Sequence, residues 1–126
     1  MIIPMQAPLT LRRNDNPFRV MFVAENEDGS VIDMTGLSAV LEMRLYPGAP
    51  GEALISISTD DMTGSRLIAS SLGLEAVIEN EPIDTLPGGE AGQDVVFAYD
   101  LLVTRAGDQN CWFFGAATVK WGVTDV

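Results

Sequence analysis

Val95-Val96-Phe97-Ala98-Tyr99-Asp100-Leu101-Leu102-Val103 is the stretch that decides the fold. Its odd positions, Val95, Phe97, Tyr99, Leu101 and Val103, form a wholly apolar set; the even positions, Val96, Ala98, Asp100, Leu102 and Thr104, are mixed. Side chains of a strand alternate between faces with a period of two, so the pattern predicts a strand with one side on a core. On a helix the same residues would be smeared around the circumference.

Segments of the same kind lie on either side. Upstream, Phe18, Val20, Phe22 and Ala24 share one face, and Ala39, Leu41, Met43 and Leu45 alternate with Val40, Glu42, Arg44 and Tyr46. Ala53, Ile55 and Ile57 alternate with Leu54, Ser56 and Ser58, while Arg66–Ser70 and Leu74–Ile78 flank Gly73 as a hairpin or bent strand pair. Leu9 and Leu11 alternate with Thr10 and Arg12 in a first strand, and Trp112–Val123 forms the last long run. Between the runs stand Asp28-Gly29, Pro47-Gly48, Pro50-Gly51, Thr63-Gly64, Pro87-Gly88-Gly89 and Gly107-Asp108, where turns need a positive or pre-set φ. About seven to nine short strands with such punctuation predict an all-β, antiparallel sandwich or barrel. Helix signals are confined to Asn80-Glu81-Pro82-Ile83-Asp84-Thr85-Leu86, with a capping residue, early acids and an early proline. At most one short helical turn is expected near 81–86, crossing between the sheets.

The chain has 126 residues, a length that suits one domain over 1–126, with residues 1–8 expected as an extended N-terminal arm. Apolar residues make up 47%, enough to bury a core. Eighteen acidic against seven basic side chains give a net charge of −11, which excludes nucleic acid as an expected partner because phosphate binding needs clustered Lys and Arg. No stretch approaches the ~18–20 apolar residues of a membrane span, and the proline-broken start lacks the basic region of a signal peptide. Synthesis in the cytoplasm is therefore expected, with no membrane partner. The sequence contains no histidine and one cysteine, Cys111. That excludes Ser-His and Cys-His nucleophile pairs, His-ligated metal and an internal disulfide, so the expected catalytic residues, metal ligands and cofactors are none.

Several motifs invite a functional reading and give way to a plainer one. Glu25-Asn26-Glu27-Asp28-Gly29-Ser30 lacks the ligand spacing of a calcium loop and reads as a hairpin turn. The adjacent Asp60 and Asp61 point in different directions on a strand or turn and make a poor acid–base pair. Leu86-Pro87-Gly88-Gly89-Glu90-Ala91-Gly92 has the glycines of a phosphate loop without its Lys-Ser/Thr, and leads into a strand. Cys111, beside Trp112 and Phe113, reads as a small hydrophobe. Consecutive Trp112, Phe113 and Phe114 cannot all face inward, so at least one needs covering by a loop or another chain. Arg12-Arg13, with Arg19, is the one basic concentration; its alternatives are a solvated edge and a dock for an acidic patch of a neighbouring copy. The interface candidates are therefore Arg12, Arg13, Trp112 and Phe114.

Taken together, these segments resemble a family, the immunoglobulin-like β-sandwich domain of bacteriophage tail and baseplate proteins, similar to the N-terminal domain of upper baseplate proteins. The resemblance is carried by Leu9–Arg13; by Val31-Ile32-Asp33-Met34-Thr35-Gly36 leading into Leu41-Glu42-Met43-Arg44; and by Leu54–Ser58 with its Thr59-Asp60 exit. It continues through the hairpin at Gly73, Ala98-Tyr99-Asp100-Leu101, Phe114-Gly115-Ala116-Ala117-Thr118-Val119 and Val123-Thr124. It implies an immunoglobulin-like sandwich and a non-enzymatic virion component: a tail, baseplate or fibre-attachment adaptor located in the virion. Its implied partners are other virion structural proteins and copies of itself in a symmetric assembly. Two rivals remain at this point: a head decoration or head-fibre base protein of the same fold, and a stand-alone carbohydrate-binding sandwich using Trp112 or Trp121.

Overall fold

The computed structural model describes residues 4–88 and 92–121. Met1–Ile3 of the expected arm, Gly89–Ala91 of the glycine loop and the Val123-Thr124 ending lie outside the described residues. Among the described residues, nine strands and one short helix follow in order: β1 (Met5–Gln6), β2 (Leu9–Arg12), β3 (Phe18–Phe22), β4 (Ser38–Arg44), β5 (Ile55–Ser58), β6 (Arg66–Ser70), β7 (Gly73–Ile78), α1 (Asn80–Asp84), β8 (Val95–Arg105) and β9 (Asp108–Lys120). They build an all-β sandwich. The larger sheet runs β1-β9-β8-β4-β5, with β2 also on β9, and the smaller runs β3-β7-β6.

The predicted alternation is realised in β8. Phe97, Tyr99, Leu101 and Val103 are buried between the sheets, and the even positions face away from the core. Leu41 and Met43 of β4 and Ile55 and Ile57 of β5 complete the large sheet's inner face. Leu74, Ala76 and Ile78 of β7 answer them from the small sheet. Each such side chain removed from water contributes roughly 1.5–3 kcal/mol, so this interlayer core is the main source of stability.

Two departures from the expected pattern have clear causes. The first strand pairs with β9 in parallel, whereas the remaining ladders are antiparallel. β1 and β2 keep one common register on β9, Gln6 opposite Phe114 and Leu9 opposite Ala117, interrupted at Ala7-Pro8 where proline has no N–H to donate. Ala7 crosses directly over Gly115, where a Cβ would lie 3.0 Å from the Ala7 oxygen. The Tyr99 hydroxyl donates to that same oxygen from below. Burial, then Cys111, pushes the Tyr99 phenol up to about 12, so it stays protonated as a donor.

The helical turn also differs in detail. The residue before α1 is Glu79, which makes no side-chain cap. Asn80 turns away instead, its Nδ2 donating to the carbonyls of Arg13 (2.7 Å) and Asp15 (2.9 Å), which ties α1 to the β2–β3 loop. Ile83 is fully buried and anchors the crossing from β7 in the small sheet to β8 in the large one. No helix among the described residues is long and apolar enough to cross a membrane.

Candidate interaction surface

The four interface candidates do not come together. Arg12 is exposed at the end of β2, opposite Lys120, whereas Phe114 lies six residues earlier on β9, about 20 Å away at strand rise. Arg13 is turned inward and only 8% exposed. Its Nη1 donates to the carbonyls of Asp84 (3.3 Å) and Leu86 (3.2 Å), at the end of α1, and its guanidinium lies 5.0 Å from the Trp121 ring centroid. Arg19 is on the other sheet, 3.4 Å from Glu75. Neither alternative for a basic concentration therefore describes Arg13: the three arginines disperse, and Arg13 is engaged within the chain. Arg13→Met keeps the apolar stem and strips the carbonyls of their donor, so a loss of about 1.5–3 kcal/mol is expected in urea unfolding.

Trp112 is also a core residue rather than a surface one. The β8–β9 ladder pairs Leu101 with Phe113 but Leu102 with Cys111, so Trp112 is the extra residue of a β-bulge. The bulge resets the alternation, and adjacent Trp112 and Phe113 are both 3% exposed. Phe113 packs on Phe22 at 5.1 Å, and the Arg105 guanidinium lies 6.0 Å from the Trp112 ring. Beyond the bulge the pattern resumes and Phe114 faces outward, 40% exposed. The ring faces of Trp112 are thus not offered for stacking on a sugar.

The other singled-out motifs are turns. In Glu25–Ser30, Asp28 accepts from the Ser30 N–H (2.9 Å) and hydroxyl (2.6 Å), which holds its carboxyl below the usual range. Thr35 N–H donates to Asp33 at 2.8 Å, closing an Asx turn ahead of β4. Asp60 and Asp61 are both exposed, with Asp61 accepting from the Ser58 N–H at 2.9 Å. The Cys111 thiol donates to the Phe113 carbonyl at 3.3 Å and is pushed up by burial, then by Asp100.

A groove of about 510 Å³, with a mainly apolar lining, lies on the outer face of the large sheet. Its geometry follows from cross-strand register. Phe114, Asp100 and Glu42 form one row across β9, β8 and β4; Ala116, Ala98 and Arg44 form the next. Small side chains in the second row make a floor, while Phe114 walls one side and Val96 (59% exposed) and Tyr46 (53% exposed) wall the other. Asp100 and Val96 are four residues apart on β8, so the trough is about 13 Å wide, enough for one extended chain.

Charge in the groove is unbalanced. Arg44 Nη1 donates to the carbonyls of Ala49 (3.1 Å) and Gly51 (2.6 Å), pinning the β4–β5 loop, and its Nη2 sits 3.4 Å from Glu42. The Asp100 carboxylate makes no direct hydrogen bond or ion pair with the described residues. Burial first, then the neighbouring Glu42, raises its carboxyl above the usual range, with Arg44 acting in the opposite sense. The sequence contained a signal for this site: the outward positions of the Val95–Val103 run hold Val96 and Ala98, where a merely solvated face would be polar. Compared with protein-family models and with the curated proteins, the sequence matches none.

Proposed function

We propose that this chain is a non-enzymatic structural component of a phage or prophage virion, a tail, baseplate or fibre-attachment adaptor working by protein–protein contact in a symmetric assembly. The observation that carries the adaptor role is the groove. Val96 and Phe114 on the sheet face and Leu45 and Tyr46 in the bend after β4 are exposed together around it, and contiguous apolar surface of this kind marks an interaction site. The assignment to a virion rests on the resemblance of the strand-and-turn pattern to phage baseplate sandwiches.

The strand order supports the finer, immunoglobulin-like reading of the sandwich. Taking β2 as strand A, the small sheet β3-β7-β6 reads B-E-D and the large sheet β9-β8-β4-β5 reads G-F-C-C′, the variable-type arrangement. Antibody domains join B to F by a disulfide. Here Phe22 of β3 meets Tyr99 of β8 at the equivalent crossing, ring centroids 6.1 Å apart, so an aromatic pair replaces the covalent link.

The test is mass spectrometry of purified particles from the phage or induced prophage that carries the gene. Peptides of this chain are expected in a constant ratio to the other structural proteins across density-gradient fractions. Their absence from intact particles sinks the virion assignment.

A further inference from the structure

Resting on the reading of this chain as an adaptor, we infer that the groove between Phe114 and Val96 takes an extended, largely apolar segment of a different protein that places one Arg or Lys side chain on Asp100. The floor and walls set the apolar part. Ala98 and Ala116 leave a trough one chain wide, and Phe114, Val96 and Tyr46 offer side chains to cover. The charge sets the rest. Arg44 is already held by two loop carbonyls and Glu42 and acts on Asp100 only at longer range, whereas the Asp100 carboxylate, in the same row as Phe114, has no direct hydrogen bond or ion pair among the described residues. A cation entering from the groove meets the Asp100 and Glu42 carboxylates and the Phe114 ring together, which combines charge pairing with a cation–π contact.

A second copy of this chain is a poor occupant. The protein carries a net charge of −11, and two copies meeting symmetrically through this face would set Asp100 and Glu42 against their like in the partner. An acidic peptide fails for the same reason. A basic, apolar segment satisfies both the lining and the charge.

The experiment titrates isotope-labelled protein with the acetylated, amidated tetrapeptide Leu-Arg-Leu-Tyr and, separately, with its Leu-Glu-Leu-Tyr counterpart, followed by amide NMR shifts. Shifts confined to Ala98, Asp100, Phe114 and Ala116 are expected for the Arg peptide, with the Glu peptide weaker by about tenfold or more. Asp100→Asn should weaken the Arg peptide by about tenfold and bring the two peptides level. Folding is not at risk in that variant: the folded state disfavours the ionised carboxyl, so a neutral amide removes a cost, and Tm should not fall. Val96→Ser should weaken both peptides, since it lowers the apolar wall.

Equal binding of the two peptides, shifts scattered away from the groove, or no shifts up to about 10 mM peptide overturns the inference. Those results leave the particle analysis untouched. A chain present in virions but indifferent to the Arg peptide is an adaptor that uses another surface, whereas absence from virions with groove binding intact defeats the virion assignment alone.

Discussion

Trp112→Ala should cost about 3–5 kcal/mol of folding stability, the range for removing a buried aromatic side chain. The residue is 3% exposed and sits in the β-bulge that lets Phe113 face inward beside it. Deletion leaves a cavity under the β8–β9 ladder and removes the ring on which Arg105 lies. A domain of this size has roughly 5–15 kcal/mol in total, so the variant should be close to the limit of folding at 37 °C. Urea unfolding followed by far-ultraviolet circular dichroism measures this, with the midpoint falling and the slope m preserved. Phe114→Ala supplies the contrast: its ring is 40% exposed on the groove wall, and its loss should stay within about 0.5 kcal/mol. A Trp112→Ala protein with an unchanged midpoint would show that the ring is not part of the core, and would reopen the sugar-platform reading.

That pair of neighbouring aromatics shows where sequence reasoning reached and where it stopped. The period-two pattern of Val95–Val103 names its own buried face, because a strand has only two faces and one was wholly apolar. The short helix at Asn80–Asp84 was equally legible from its proline and early acids. In Trp112-Phe113-Phe114 the same rule says that not all can be inside, but it cannot locate a bulge, which is set by the register with β8 rather than by the local residues. The front of β9, Asp108-Gln109-Asn110, was missed for a related reason. It is polar and exposed, and it is a strand because Gly107, at φ 85°, turns the chain back on β8. Arg13 was misplaced because its burial depends on carbonyls some seventy residues away, at Asp84 and Leu86. The groove was half visible. Its apolar outward residues lie in the deciding stretch, but their neighbours Glu42 and Arg44 arrive through the β4–β8 pairing, which alternation alone does not specify, and Tyr46 through the bend that follows β4.

Gly73→Ala tests how the small sheet is joined to that arrangement, and a loss of about 2–4 kcal/mol is expected. Gly73 opens β7 at φ 148°, a backbone conformation that side chains rarely tolerate, and a Cβ there would lie 2.2 Å from the Phe22 carbonyl oxygen. That oxygen is backbone, so the contact cannot be relieved by rotating a side chain. β3 would have to move away from β7, loosening the Phe22–Leu74 pairing. Phe22 is also the residue that reaches across the sandwich to Tyr99 and Phe113, so the displacement reaches the interlayer core rather than staying at the hairpin. Gly107→Ala separates the two causes. Gly107 also has a positive φ, 85°, but a Cβ there meets nothing within 4 Å, so only the dihedral cost of about 1 kcal/mol applies. Side-by-side urea unfolding of the two variants should place Gly73→Ala well below Gly107→Ala. Equal midpoints would mean that the close backbone approach of β7 to Phe22 within the small sheet carries no energetic weight.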